Sequence, residues 1–118
     1  LAERVLVTGG TGFIGHHLVA ALRTGGQPVT CLVRPTSKVE ALQGMGVSLV
    51  VGDLAQPETL AEAVAGHSTV YHLAGLLAAF RAEAFYQVNV GGTAALLEAC
   101  AGQRNPPVVV IVSSLAAA

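Results

Sequence analysis

Eight residues near the amino terminus, Thr8-Gly9-Gly10-Thr11-Gly12-Phe13-Ile14-Gly15, crowd glycines between an apolar run and a helix-like segment. Glycine is a poor helix former, so such crowding calls for something that must come close to the backbone. Gly10, Gly12 and Gly15 fit G-x-G-x-x-G, and Gly9, Gly12 and Gly15 fit G-x-x-G-x-x-G. The match gains weight from its setting, directly after a strand and at the start of a helix. A residue free to adopt positive φ would make the bend, and missing Cβ atoms would let a diphosphate reach the chain. The helix N-terminus would then offer unpaired N–H groups and its positive dipole end. Gly15 would let the helix pack tightly on the first strand. A merely tight turn would need only one or two of these glycines.

The end of the second strand bears on which dinucleotide such a turn would seat. Selectivity for NAD usually comes with an Asp or Glu there, which accepts bonds from the ribose hydroxyls and repels a 2′-phosphate. Cys31-Leu32-Val33-Arg34-Pro35-Thr36-Ser37-Lys38 holds no acid and places Arg34 just past the strand. A guanidinium can pair with a 2′-phosphate through two charge-assisted bonds, with Lys38 or Ser37 adding a contact. The expectation is NADP in preference to NAD.

Other chemistries find little support. His16 and His17 are neighbours on a helix and point apart, while His67 lies in a turn and His72 at a strand end. No Cys or carboxylate stands at ligand spacing from them, so no metal site is expected. Cys31 and Cys100 form no Cys-x-x-Cys pair and read as buried thiols of a reducing compartment. A net charge of −1 and a pI near 6.4 supply no field for nucleic acid or an anionic membrane. The longest apolar stretch, residues 69–80, is too short to span a bilayer. A cytoplasmic protein acting on a small molecule is expected.

The elements that must position these residues follow from pattern. Across the 118 residues, 53% are hydrophobic and 11% charged, a balance that suits a sheet covered on both faces. Apolar runs at 4–8, 29–33, 47–51, 69–73 and 108–112 read as buried strands. Between them lie a helix over 13–24 with Ile14, Leu18 and Leu22 as its stripe, and a short one over 38–45. A third begins near Pro57, with Leu60 and Val64 on one face, and a long helix over 83–101 turns Phe85, Val88, Leu96 and Cys100 inward. Strand and helix alternate throughout, which implies an α/β fold with helices on both faces of a parallel sheet. The expected architecture is a Rossmann-type doubly wound sheet of five strands in the order 3-2-1-4-5, stopping before later strands. Residues 1–118 would form one partial nucleotide-binding domain. Its motifs would all lie at the carboxyl ends of the strands, where such sheets bind ligands.

The glycine turn, Gly52-Asp53-Leu54, His72-Leu73-Ala74-Gly75, Asn89-Val90-Gly91-Gly92-Thr93 and Val112-Ser113-Ser114 occur in that order. Together they resemble the extended branch of the short-chain dehydrogenase/reductase superfamily, which includes nucleotide-sugar epimerases and dehydratases and dihydroflavonol-reductase-like enzymes. The Val33-Arg34 pair resembles the last group more than the NAD-holding epimerases. The resemblance implies that Thr8, Gly9, Gly10, Thr11, Gly12, Phe13, Ile14 and Gly15 line the cofactor. It implies that Asp53 accepts a bond from the adenine amino group, that Leu54 offers backbone contacts, and that Leu73, Ala74 and Gly75 flank the ribose and diphosphate. Asn89 would reach toward a catalytic lysine through water, and Ser114 would hydrogen-bond the substrate's carbonyl or hydroxyl.

The family's Tyr-x-x-x-Lys couple has no counterpart here: Tyr71 and Tyr86 lack a lysine four positions on. The chain is therefore expected to be the amino-terminal part of a longer oxidoreductase, inactive by itself. Its fifth strand, left with an open apolar edge, would favour a homo-oligomer. The alternatives are an NAD-dependent nucleotide-sugar epimerase or dehydratase, and a non-catalytic dinucleotide sensor. A methyl-donor-binding domain is disfavoured by the spaced glycines and Arg34.

Overall fold

The computed structural model describes residues 3–73 and 91–112. Strands β1 (Val5–Thr8), β2 (Val29–Val33), β3 (Ser48–Val51), β4 (Thr69–His72) and β5 (Val108–Ile111) form one five-stranded sheet in the order β3-β2-β1-β4-β5. Every neighbouring pair is parallel. This is the Rossmann-type, doubly wound order expected from the alternating pattern. The chain builds outward from β1 to β3, then returns to place β4 on the other side of β1. β1 and β4 thus stand at the topological switch point of the sheet, where doubly wound sheets bind ligands beyond the carboxyl ends of their strands.

Alternation along the central strands divides the core into two layers, because successive side chains point to opposite faces. Val5 and Val7 pack with Val19, Val29, Cys31, Val33 and Leu42, against helices α1 (Phe13–Thr24) and α2 (Glu40–Gln43). Leu6 and Val70 pack on the other face with Leu60, Val64, Leu96 and Cys100, from helices α3 (Leu60–Val64) and α4 (Gly92–Ala101). Pro57 opens a 3₁₀ turn, Pro57–Thr59, that runs into α3. Leu60 and Val64 are fully buried one helical turn apart, as their spacing requires.

Several boundaries and faces differ from expectation. On α1 the buried positions are Gly15 and Val19, with Leu18 and Leu22 flanking the layer, while Ile14 is 57% exposed. The start of α1 lies so close to the preceding turn that the contact line runs through a glycine. Segment 38–45 yields a single helical turn. Only Gly92–Ala101 of the long helix lies within the described residues, and there Leu96 and Cys100 do face inward. Phe85 and Val88 lie outside them. The outermost strands are not covered like the centre: Val51 is 59% exposed and Val108 66%. An edge strand lacks the second neighbour that buries its flank, so an apolar run need not be an interior one.

Candidate functional site

The glycine turn joins β1 to α1 at this switch point, and its glycines do not all have the same reason. Gly9 has φ +77°, the left-handed region that glycine adopts without strain. The Gly12 N–H donates to the Gly9 carbonyl at 3.1 Å, and His16 N–H to the Gly12 carbonyl at 2.8 Å. A Cβ on Gly15 would stand 2.0 Å from the Gly9 oxygen, and one on Gly10 3.2 Å from Cys31 Sγ. A Cβ on Gly12 would meet only ordinary contact, 3.5 Å from the Gly9 oxygen, and its φ of −83° suits any residue. Backbone conformation therefore accounts for Gly9 and internal packing for Gly10 and Gly15, but neither accounts for Gly12. Thr11, Gly12, Phe13 and Ile14 are exposed around it. Among the described residues no side chain caps α1, and no acid lies in its first turn, so the positive end of the helix faces outward.

Beneath the turn lies a polar layer that the sequence does not reveal. Thr8 and His72 are register partners on β1 and β4. Thr8 Oγ1 and His72 Nδ1 share a hydrogen bond of 2.8 Å, and His72 Nε2 and Thr93 Oγ1 one of 2.9 Å. The Leu73 N–H donates to Thr8 Oγ1 at 3.1 Å. Burial holds the His72 pKa below its ordinary value, which favours the neutral ring. In the sequence His72 is only a residue at a strand end; its pairing with Thr8 spans 64 positions, and no local pattern carries that.

Asp53 follows β3 in a tight turn. Its Oδ1 accepts the Ala55 N–H at 2.9 Å, leaving the other carboxylate oxygen for further bonds. The Asp53 N–H donates to Thr59 Oγ1 at 2.9 Å, and the Thr59 hydroxyl donates to the Gln56 carbonyl at 2.8 Å. Sequence reasoning misses Thr59, which clamps the turn from the 3₁₀ segment. Leu54 meets the start of α4, where a Cβ on Gly92 would come within 3.1 Å of the Leu54 Cβ. The glycine turn, Asp53-Leu54 and His72-Leu73 are thus joined at one end of the sheet through Thr8, His72 and α4.

Arg34 and Lys38 are exposed or partly exposed beside this end. The Arg34 N–H donates to Ser37 Oγ and the Ser37 N–H to the Arg34 carbonyl, each at 3.0 Å. The serine hydroxyl closes the turn that carries the arginine. Ala74, Gly75, Asn89, Ser113 and Ser114 lie outside the described residues. Among the described residues no group of three or more His, Cys, Asp or Glu could hold a metal ion. No described helix is long and apolar enough to cross a membrane. Cys31 and Cys100 are free and buried, and burial pushes the Cys31 thiol up to about 11.

Comparisons with known proteins point to one superfamily. The chain is 40% identical over 115 residues to a ceramide reductase of Caulobacter vibrioides, covering 96% of this chain and 35% of that protein. A short-chain dehydrogenase/reductase superfamily protein from Agrobacterium tumefaciens, solved with bound NAD, matches with a TM-score of 0.73. Identity to it is 35%, over 95% of this chain and 33% of that one. The UDP-glucose 4-epimerase of Thermus thermophilus, in complex with NAD, matches with a TM-score of 0.72 and 35% identity, over 83% of this chain and 33% of that one. The chain spans about a third of the length of the curated relatives it matches.

These matches overturn the expectation of NADP from Arg34 and Lys38, since the matched structures hold NAD. The physical reason lies in what an absent acid can establish. A ribose diol needs hydrogen-bonding partners of any kind, whereas only a 2′-phosphate needs a cation. An exposed arginine at a strand end is stably solvated without either, and the hydroxyl of Ser37 is already engaged in its own turn. Residues 5–118 match the model of the NAD dependent epimerase/dehydratase family, and the chain belongs to that family as an NAD(P)-binding, oxidoreductase- or epimerase-type domain.

Proposed function

We propose that the chain is the NAD-binding part of an oxidoreductase that reduces a carbonyl, or oxidises a secondary alcohol, by hydride transfer. The observation that carries this reading is Gly12. It is the one position in the glycine turn whose missing side chain neither backbone conformation nor packing requires, and it caps an outward-facing helix N-terminus. A diphosphate laid against that surface explains the bare backbone and uses the N–H groups around it.

In this reading Thr8 to Gly15 seat the diphosphate. The second oxygen of Asp53 receives the adenine amino group, and Leu54 contributes its backbone. Leu73, with Ala74 and Gly75, borders the ribose, and Arg34 and Lys38 stay in solvent near the adenosine end. Asn89 supports the catalytic group, and Ser114 hydrogen-bonds the substrate oxygen. Bound NAD would supply the site that takes or gives the hydride. Likeness to a ceramide reductase over nearly the whole chain supports the reductase reading. Likeness to a UDP-glucose 4-epimerase keeps an epimerase as the second.

Calorimetric titration tests the core of this. NAD should bind the wild-type chain, and Gly12→Ala should weaken binding more than about tenfold while costing no more than about 1 kcal/mol of stability in urea unfolding. Equal affinity in both proteins would remove the argument from Gly12. In the full-length protein, net consumption of NADH with a ketone marks a reductase, whereas an epimerase returns its nucleotide unchanged after each turnover.

A further inference from the structure

His72 occupies an unusual position for a histidine, since both ring nitrogens are engaged and the residue is 3% exposed. It lies on the same face of the sheet as Val70 and Leu6, so its ring closes the top of the apolar layer formed with α3 and α4. One nitrogen meets Thr8, the last residue before the Gly9 bend. The other meets Thr93, in the first turn of α4. A neutral imidazole has one donor and one acceptor nitrogen, so the two bonds run in a single direction, and the ring cannot turn over without breaking both. Gly92, the neighbour of Thr93, packs against Leu54 beside Asp53.

We propose that His72 is a positioning residue for the nucleotide seat, its ring tying the threonine that leads into the glycine turn to the first turn of α4. The seat and the helix are then set as one unit. A shift of α4 is passed through a rigid ring to the residue from which the glycine bend begins, and the Leu73 N–H, held by Thr8, moves with it. Neither an Asn nor a Gln side chain at this position would present two nitrogens across the same span. The inference rests on the proposed NAD site and adds a link that no contact with the nucleotide would reveal.

Thr93→Val keeps the shape of the threonine and removes only its hydroxyl, and Thr93→Ser restores it. Calorimetry with NAD should show the valine variant about five- to tenfold weaker than wild type, the loss expected for one bond in a partly buried network, with the serine variant near wild type. A second measurement needs no variant. In long-range proton–nitrogen NMR of the wild-type chain, saturating NAD should shift both ring nitrogens of His72 and leave those of His67, at the opposite end of β4, in place. A valine variant that binds as wild type does, or a His72 ring unmoved by NAD in a chain that binds it, overturns the link and leaves the NAD site standing. If the wild-type chain takes up no NAD, the site fails and the link with it.

Discussion

Gly12 and Gly15 lie in one turn and answer to different demands. The Gly9 carbonyl oxygen occupies the place a Gly15 Cβ would need, so even alanine there must push α1 away from the Gly9-Gly10 turn. Gly15→Ala should cost about 3 kcal/mol or more by overpacking, read from urea unfolding. Gly12→Ala meets no such obstacle and should cost about 1 kcal/mol or less, the preference of a helix cap for glycine over alanine. The pair separates two meanings of one letter within a single motif. If both variants unfold at the same denaturant concentration, the division between packing glycine and ligand glycine is wrong.

At the scale of elements, the turn after β3 depends on a residue from the segment that follows it. The Thr59 hydroxyl accepts from the Asp53 N–H and donates to the Gln56 carbonyl, holding Asp53 against the start of α3. Thr59→Val is nearly the same shape but leaves that N–H without its partner, at a cost of about 1 kcal/mol. Because Asp53 would lose its fixed orientation, NAD affinity should fall a few-fold alongside stability. An unchanged dissociation constant would show that the turn holds its shape without the hydroxyl. On α1, too, the element is fixed by its neighbour. The stripe of Ile14, Leu18 and Leu22 gives the right helix, but close approach at Gly15 rotates the buried line toward Val19 and leaves Ile14 in the open.

For the molecule as a whole, two buried histidines shape its response to acid. Burial holds both His67 and His72 below the ordinary value of 6.5; at His67 the hydrogen bond to the Val64 carbonyl opposes this and the Arg4 charge adds to it, with burial prevailing. Among the described residues His67 Nε2 has no hydrogen-bond partner, so a proton placed there finds no acceptor of its own. Below about pH 6.5 the unfolded chain takes up protons that the folded chain refuses, so stability falls as pH falls, by up to about 1.4 kcal/mol per pH unit for each histidine. Above that pH they contribute no dependence. Urea unfolding between about pH 7.5 and 5 should show this slope, and His67→Asn should reduce it by about half. The two sheet edges make a second whole-molecule property. Among the described residues β5 has no outer neighbour, Val108 and Ile111 are 66% and 50% exposed, and an apolar strand with a free edge invites pairing with another chain. Self-association that rises with concentration and is abolished by Val108→Lys is the expected result in light scattering. A stable monomer at high concentration would count against it.

The order of strands and helices, the parallel sheet and the position of the glycine turn are all legible in the amino-acid sequence. These follow from hydrophobic period and glycine spacing, which act over a few residues and are written in consecutive letters. It also marked Asp53 and Leu73 as lying at strand ends, since a run's last residue is visible as such. Relations between distant segments emerge only once the chain is folded. Thr8, His72 and Thr93 meet because β1 and β4 are neighbours and α4 crosses them, and Thr59 reaches Asp53 because the 3₁₀ segment folds back beside the end of β3. The nucleotide preference is misread from Arg34 for a related reason. A charge at a strand end states what could be bound there, whereas the partner it takes depends on the shape and solvation of the space around it. A side chain's type is local, but its partner is set by where the rest of the chain has been placed.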